Sequence, residues 1–235
     1  MILFDYGQTL IVEPQFDWMA ANLAILAHAQ KLPENMTREE LCRRSDELFF
    51  HVLGQQHENY REMEHVKFLR LLCDAYDITL DIPLEEADLL YWDSATHGSF
   101  ASPGAPELLD YLAANGIRSG IISNMCYSNA ALCARLDRYL PNNRFDFVMT
   151  SSDYILRKPE SLLFAVACKR AGLTPADIWF VGDNPEADIL GAYNAGMRPI
   201  LYTGAHMRKG NGALPDVPFD TVETFAELQA LIEKA

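Results

Sequence analysis

The chain is predicted to fold as a doubly wound α/β protein whose mostly parallel sheet is interrupted by an inserted all-helical domain. After Pro103-Gly104, short apolar runs alternate with helical segments to the end of the chain. Between about residues 14 and 98, by contrast, apolar residues recur at helical spacing and no convincing strand is found. Alternation of strands and helices implies parallel strands with helices on both faces, which is a Rossmann-like arrangement.

The first part of the chain reads as one strand followed by helices. The three residues before Asp5 are all apolar and are typical of a short buried strand. The sequence of residues 37–40, Thr-Arg-Glu-Glu, is a capping box and predicts the start of a helix that continues through Phe49. Further helices are predicted around Trp18 to Leu26, around Val66 to Leu72, and after Pro83 through Trp92.

The second part of the chain supplies the remaining strands of the sheet. Strands are predicted at residues 119–123, 145–150, 178–182 and 199–202. Helices are predicted at residues 108–112, 130–140, 162–171 and 187–195, with glycines at 116, 172 and 196 ending three of them. Thr224 is the expected cap of a last helix that ends near Lys234.

These elements divide the chain into two expected units. Residues 1–13 and 99–235 are predicted to form an α/β core, and residues 14–98 a helical cap domain inserted into it. Ligands of open α/β sheets bind at the carboxyl ends of the strands. Polar residues that follow the predicted strands are therefore the candidates for a functional site.

The composition narrows the classes of partner. The 235 residues carry a formal net charge of −14, and 49% of them are apolar. This charge argues against binding to nucleic acid and to anionic membrane surfaces, which both require basic patches. Five cysteines form no CxxC pair, and no signal peptide or apolar stretch of membrane-spanning length is seen. We therefore expect a cytoplasmic protein that binds no nucleic acid and no membrane.

Carboxylates follow two of the predicted strands. Asp5 closes the first strand, and Asp183 and Asp188 follow the strand at residues 178–182 in the pattern Gly-Asp-x-x-x-x-Asp. A carboxylate at a strand end can attack phosphorus, and several together suit a hard cation such as Mg²⁺. Three aspartates with Lys158 carry a net charge of −2, so a bound Mg²⁺ is needed before an anionic phosphate enters. Each aspartate alone is equally typical of a helix cap.

Two further segments carry groups that bind phosphate. Ser123 ends a predicted strand, and its hydroxyl with the backbone N–H of Asn124 can hold a phosphoryl oxygen at the start of a helix. Lys158 precedes Pro159, which keeps Lys158 extended and makes it a candidate counter-charge for the nucleophile. Neither segment is specific by itself, because serine is a common N-cap and lysine a common surface residue.

Taken in order, the four segments resemble the motifs of the haloacid dehalogenase superfamily of hydrolases, in its helical-cap branch that includes phosphoglycolate phosphatases and phosphonatases. The resemblance implies a Mg²⁺-dependent phosphatase that acts on a small phosphorylated metabolite through an aspartyl-phosphate on Asp5. It further implies that the Gly7 carbonyl binds the metal, that Asp183 ligates it directly and that Asp188 acts from its outer shell. The segments are Phe4-Asp5-Tyr6-Gly7-Gln8-Thr9-Leu10, Ile121-Ile122-Ser123-Asn124, Arg157-Lys158-Pro159 and Val181-Gly182-Asp183-Asn184-Pro185-Glu186-Ala187-Asp188.

Gly7 departs from the phosphatase pattern. Phosphatases of this superfamily have a second aspartate there, which protonates the leaving group and later activates water. Loss of a general acid or base typically slows a reaction by about 10²- to 10⁴-fold. Three explanations stay open: a side chain of the cap or a water molecule replaces the acid, the substrate has a good leaving group such as an acyl or aryl phosphate, or the reaction is not the hydrolysis of a phosphate ester. Gln8 is a further candidate for orienting water.

Two other activities remain alternatives. Phosphonatases of the superfamily hydrolyse a C–P bond with a Schiff-base lysine from the cap, for which this chain offers Lys31 and Lys67. A non-catalytic protein that binds phosphate and metal would also retain Asp5, Ser123, Lys158, Asp183 and Asp188 as a binding set. The dehalogenases themselves need no metal, so the acidic pair at 183 and 188 argues against that activity.

Overall fold

The computed structural model describes residues 1–57, 59–205 and 213–235. Its strands are β1 Ile2–Phe4, β2 Ile11–Val12, β3 Ala29–Lys31, β4 Thr79–Leu80, β5 Phe100–Ala101, β6 Ser119–Ser123, β7 Val148–Thr150, β8 Trp179–Gly182, β9 Arg198–Tyr202 and β10 Asp220–Val222. Its helices are α1 Trp18–Ala27, α2 Arg38–His57, α3 His65–Tyr76, α4 Leu84–Ala95, α5 Ala105–Ala114, α6 Asn129–Tyr139, α7 Ser151–Tyr154, α8 Ser161–Ala171, α9 Gly191–Asn194 and α10 Phe225–Ile232. Short helical turns cover Pro175–Asp177 and Pro185–Leu190.

A parallel six-stranded sheet forms the centre of the molecule. Its strand order is β10-β9-β8-β1-β6-β7, so β1 lies between β8 and β6. Side chains of β1 alternate between two apolar clusters: Ile2 and Phe4 pack in one, and Leu3 packs in the other. The sheet is therefore covered on both faces, which confirms the predicted doubly wound α/β class.

The segment between β2 and β5 contains the four helices α1 to α4. Thr37 caps α2 as predicted, its hydroxyl accepting a hydrogen bond from the Glu40 N–H at 3.1 Å. The expectation that this segment has no strand is wrong at one place, where β3 and β4 form a short antiparallel ladder. The ladder pairs only a few residues, mostly polar and exposed, so it leaves no alternating apolar pattern in the sequence.

Within the core, several boundaries also differ from the prediction. Strand β7 is shorter than predicted, and β10 was missed because its three residues, Asp-Thr-Val, carry little apolar signal. The ladder of β2 with β5 was also missed, because each of these strands has only two residues. It lies where the chain leaves and re-enters the core. The helix predicted at 187–195 begins earlier, with the turn Pro185–Leu190, and continues as α9.

Two observations concern membrane-spanning helices and disulfide bonds. In the described part of the chain, none of the helices combines the length and the apolar character that a membrane crossing requires. All five cysteines, Cys42, Cys73, Cys126, Cys133 and Cys168, are free thiols in the structure.

A buried polar cluster joins the three helices α3, α4 and α6. Asp88 of α4 accepts a hydrogen bond from Nδ1 of His65 at 2.9 Å, and both side chains are fully buried. Its second oxygen accepts bonds from the backbone N–H and the hydroxyl of Ser128, at 3.0 and 2.8 Å. Ser128 in turn caps α6. Asp88 therefore connects α3 and α4 of the insertion to the core helix α6.

We predict that Asp88→Ala lowers the free energy of unfolding by about 3 kcal/mol, because it leaves buried donors without an acceptor. The exposed pair His28–Asp81, at 2.8 Å, provides a matched control. Asp81→Ala is expected to cost less than about 1 kcal/mol, since water replaces the lost partner. Urea unfolding followed by circular dichroism measures both changes. Equal losses in the two variants would contradict the role assigned to Asp88.

Candidate active site

The order of the strands brings the predicted residues to one edge of the sheet. Asp5 follows β1, Ser123 ends β6, and Asp183 follows β8. Because β1 pairs in parallel with both β6 and β8, the carboxyl ends of these three strands are adjacent. The three side chains line the same cavity, together with Gly7, Asn124, Lys158 and Asp188.

Lys158 is the centre of the polar groups in this cavity. Its ammonium donates to Oδ1 of Asp5 at 2.8 Å and to Oδ1 of Asp188 at 2.6 Å. The Ser123 hydroxyl donates to the same oxygen of Asp5 at 3.0 Å. All four side chains are buried, so these contacts operate with little screening by water.

The charges of this cluster depend on one another. Burial acts to lower the pKa of the Lys158 ammonium, but Asp188 and Asp5 outweigh it and hold that pKa above its ordinary value. Burial also raises the pKa of Asp188, against the opposing effect of Lys158. Lys158 is thus held as a cation in direct contact with Asp5 and Asp188.

Asn124 has a role that the sequence did not reveal. Its side-chain oxygen accepts the backbone N–H of Lys158 at 2.7 Å, and its side-chain nitrogen donates to the Lys158 carbonyl at 2.9 Å. This pair of bonds fixes the backbone from which the lysine side chain extends. Asn124 was predicted only to offer its backbone N–H to a phosphoryl oxygen. The side-chain pairing depends on a contact across 34 positions of the sequence, for which no local pattern exists.

Asp188 is held close to the end of β8. Its Oδ2 accepts the backbone N–H of Asn184 at 2.9 Å. A Cβ atom at Gly182 would lie only 2.3 Å from this Oδ2, a distance that excludes any side chain there. Gly182 therefore provides the space in which the carboxylate packs against the strand.

Asp5, Asp183 and Asp188 provide a donor set for a divalent cation. One carboxylate oxygen from each lies within 4.8 Å of the others. Mg²⁺ binds carboxylate oxygens at about 2.0–2.1 Å and retains several waters, so this spacing and chemistry fit it. With Lys158, the three carboxylates carry a formal charge of −2, which a divalent cation neutralises. The residues present thus fit the predicted metal.

The cavity has a volume of about 260 Å³ and two unlike walls. One wall is the polar sheet edge. The other is aromatic and comes from the inserted segment, where the rings of Phe16 and Trp18 stack at 5.0 Å and Phe50 meets Trp18 edge-on at 5.5 Å. Phe16 and Phe50 remain 41% and 48% exposed, so their rings are accessible to a ligand.

Arg157 and Glu62 also line the cavity and were not identified as site residues from the sequence. They form an ion pair that joins the inserted segment to the loop preceding Lys158. Glu62 is buried and also accepts the Ser151 hydroxyl at 2.8 Å. Arg157 lies next to Lys158 in the third motif, which is the only local signal that would have drawn attention to it.

Lys31 and Lys67, the candidates for a Schiff base, lie elsewhere. Lys31, in β3, is exposed and pairs with Asp77 at the end of α3. Lys67 is 73% exposed and pairs with Glu64 at 3.1 Å. Among the described residues that line the cavity, Lys158 is the only lysine. A Schiff-base mechanism therefore finds no support in the positions of these two side chains.

Comparison with known proteins supports the resemblance of the motifs. A family model described as HAD-hydrolase-like matches residues 155–228. The chain is 27% identical over 207 residues to a ribulose-1,5-bisphosphate 5-phosphatase of Halopiger xanaduensis, with 86% of this chain and 83% of that protein covered. It is 32% identical over 133 residues to the pyrimidine 5′-nucleotidase YjjG of Escherichia coli, with 56% of each protein covered.

Solved structures agree on the fold. A HAD phosphatase from Thermococcus onnurineus has a TM-score of 0.64 at 22% identity, covering 98% of this chain and 96% of that one. A 2-haloacid dehalogenase from Pseudomonas syringae has a TM-score of 0.59 at 22% identity, covering 99% and 97%. At this identity the two neighbours establish only a common fold. Together, the matching family model, the aligned relatives and the common fold support the assignment of the chain to the haloacid dehalogenase-like hydrolase superfamily.

Proposed function

We propose that this protein is a Mg²⁺-dependent phosphatase of a small phosphorylated metabolite, working through an aspartyl-phosphate on Asp5. The observation that carries the proposal is the position of the Lys158 ammonium, which contacts both Asp5 and Asp188. This arrangement provides a carboxyl group for nucleophilic attack, a cation for the transferring phosphoryl group and a set of carboxylates for a metal. Phosphoryl transfer requires these three components and little other chemistry.

In the first step, a carboxylate oxygen of Asp5 attacks phosphorus. The bond from phosphorus to the leaving oxygen breaks, and the electron pair stays with that oxygen. Ser123 and Lys158, which contact Asp5 in the resting site, are placed to donate to the phosphoryl oxygens as charge develops on them. In the second step, water attacks phosphorus and releases Asp5 and inorganic phosphate.

Asp5, Asp183 and Asp188 would hold the metal, and the family resemblance adds the carbonyl of Gly7. Bound there, Mg²⁺ supplies positive charge that neutralises the carboxylates and polarises the phosphoryl oxygens. We further propose that residues 1–13 and 99–235 act as the catalytic core. Residues 14–98 would act as a cap that excludes water and selects the substrate. We place the protein in the cytoplasm, where its five free cysteines remain reduced.

Gly7 favours a second candidate, a non-catalytic protein that binds phosphate and metal. Such a protein needs the charges of the site but not a group that protonates a leaving oxygen. The two candidates differ in whether the protein hydrolyses a phosphate ester, and the following experiment measures that turnover.

Asp5→Asn is expected to reduce hydrolysis of p-nitrophenyl phosphate by at least about 10³-fold, since the amide is not a nucleophile. The fold should remain, because the substitution preserves shape. Asp110→Asn, which removes an exposed carboxylate on α5, is the matched control and should retain activity. Initial rates with Mg²⁺ and circular dichroism spectra measure both properties. Wild-type rates in the Asp5 variant would exclude this residue as the nucleophile, and no turnover by the wild-type protein would favour the binding role.

Mg²⁺ is expected to raise the melting temperature, because it binds the folded acidic cluster and relieves its repulsion. At a concentration of 100 times its dissociation constant, the gain is about 2.7 kcal/mol. Asp183→Asn should abolish most of this increase, and Asp110→Asn should preserve it. Differential scanning calorimetry with Mg²⁺ or with EDTA measures the effect. An unchanged increase in the Asp183 variant would place the metal elsewhere.

The aromatic wall predicts a preference for leaving groups with an apolar or planar body. Phe50→Ala should raise the KM for p-nitrophenyl phosphate by about 3- to 10-fold, the usual worth of one aromatic contact. Hydrolysis of acetyl phosphate, whose leaving group is too small to reach the wall, should be unaffected. Leu71→Ala removes an equally exposed apolar side chain outside the cavity and serves as the control. Equal losses on both substrates would argue against a specific contact.

A further inference from the structure

The space beside Gly7 is occupied by a carboxylate from elsewhere in the chain. A Cβ atom built on Gly7 would have Oε2 of Glu13 as its nearest neighbour, at 3.7 Å. This is ordinary van der Waals contact, and the backbone of Gly7 has an ordinary negative φ, so neither sterics nor conformation demands glycine here. Glu13 and Asp5 line the same cavity. A carboxyl oxygen thus lies in van der Waals range of the position where a side chain at residue 7 would begin.

Glu13 is held firmly in this orientation. Its Oε1 accepts the indole N–H of Trp92 at 3.0 Å and an N–H of Arg135 at 3.1 Å. Its backbone carbonyl accepts the side chain of Gln8 at 2.7 Å. Glu13 is therefore held at its backbone and at Oε1, with Oε2 on the side of Gly7. Fixed orientation of this kind is what a group acting on a reacting atom requires.

The partners of Glu13 are themselves buried and organised. Arg135 is fully buried, its guanidinium lies 4.4 Å from the ring centre of Trp92, and its Nε donates to the hydroxyl of Tyr6 at 3.0 Å. It also pairs with Asp93 at 2.5 Å. An arginine and an indole N–H are both donors suited to a carboxyl group, and both donate to Oε1 of Glu13.

From this geometry we propose that Glu13 is a catalytic residue, the general base that replaces the aspartate absent at residue 7. The proposal rests on the phosphatase function proposed above. In the second step, the oxygen of a water molecule bonds to phosphorus while one of its protons passes to Oε2 of Glu13. The bond between phosphorus and Asp5 breaks, and its electron pair returns to the Asp5 carboxylate. Phosphate leaves, and the proton on Glu13 is then lost to solvent.

The assignment predicts which step a substitution slows. With ³²P-labelled acetyl phosphate and Mg²⁺, Glu13→Gln should form the phosphoenzyme and hydrolyse it about 10²- to 10⁴-fold more slowly. Acid quenching should then recover labelled protein at much higher occupancy than in the wild type. The amide oxygen still accepts from Trp92 and Arg135, which keeps the surrounding bonds. Gly7→Asp combined with Glu13→Gln should restore part of the hydrolysis, because it returns a carboxylate to the same space.

Asp93→Asn is the matched control, because it weakens the other ion pair of Arg135 without touching the cavity. It should show no accumulation of phosphoenzyme. If Glu13→Gln fails to fold, Glu13→Asp, which retains the charge but withdraws it from Gly7, should show the same accumulation. Wild-type hydrolysis and occupancy in whichever Glu13 variant folds would overturn the proposal and leave Glu13 as a partner of Arg135. A wild-type protein that neither forms phosphoenzyme nor releases phosphate would instead overturn the phosphatase function and the proposal with it.

Discussion

The buried ammonium of Lys158 is the interaction on which the site depends. Asp5 and Asp188 are both buried and both contact Lys158. Without a cation between them, two buried carboxylates at this separation would repel each other. Lys158 provides that cation, and its place is in turn set by Asn124, which bonds both backbone groups of the lysine. Removal of the lysine would therefore change the charge of the whole cluster rather than a single contact.

A second set of charges connects the sheet edge to the inserted helices. Arg135 of α6 reaches Glu13 and Asp93, and Arg157 reaches Glu62 of the inserted segment. Both arginines thus link core elements to residues at or within the insertion, close to the reacting groups. Of these residues, Glu13, Glu62 and Arg157 line the cavity, which is also lined by the aromatic rings of the inserted segment. Its polar side is suited to phosphate and its aromatic side to the rest of a substrate.

Local patterns were sufficient for most of the core. Residues 119–123 were predicted as a strand from their apolar run, and β6 has these bounds. Thr224 was predicted as a helix cap, and it forms a capping box with Glu227. The strands β3, β4 and β10 were missed because pairing between a few polar residues is decided by neighbours distant in sequence. Such short strands have no period from which they can be recognised.

The sequence by itself determined the class of fold, and it predicted Asp5, Ser123, Lys158, Asp183 and Asp188 as the candidate site residues. Each of these follows from residues adjacent in the chain, such as an apolar run that ends in a polar residue. Only the tertiary structure decided that Asn124 positions Lys158, that Arg157 pairs with Glu62 and that Glu13 occupies the space beside Gly7. These relations depend on side-chain directions at contacts between separate elements, and the periodicity of one segment carries no information about them.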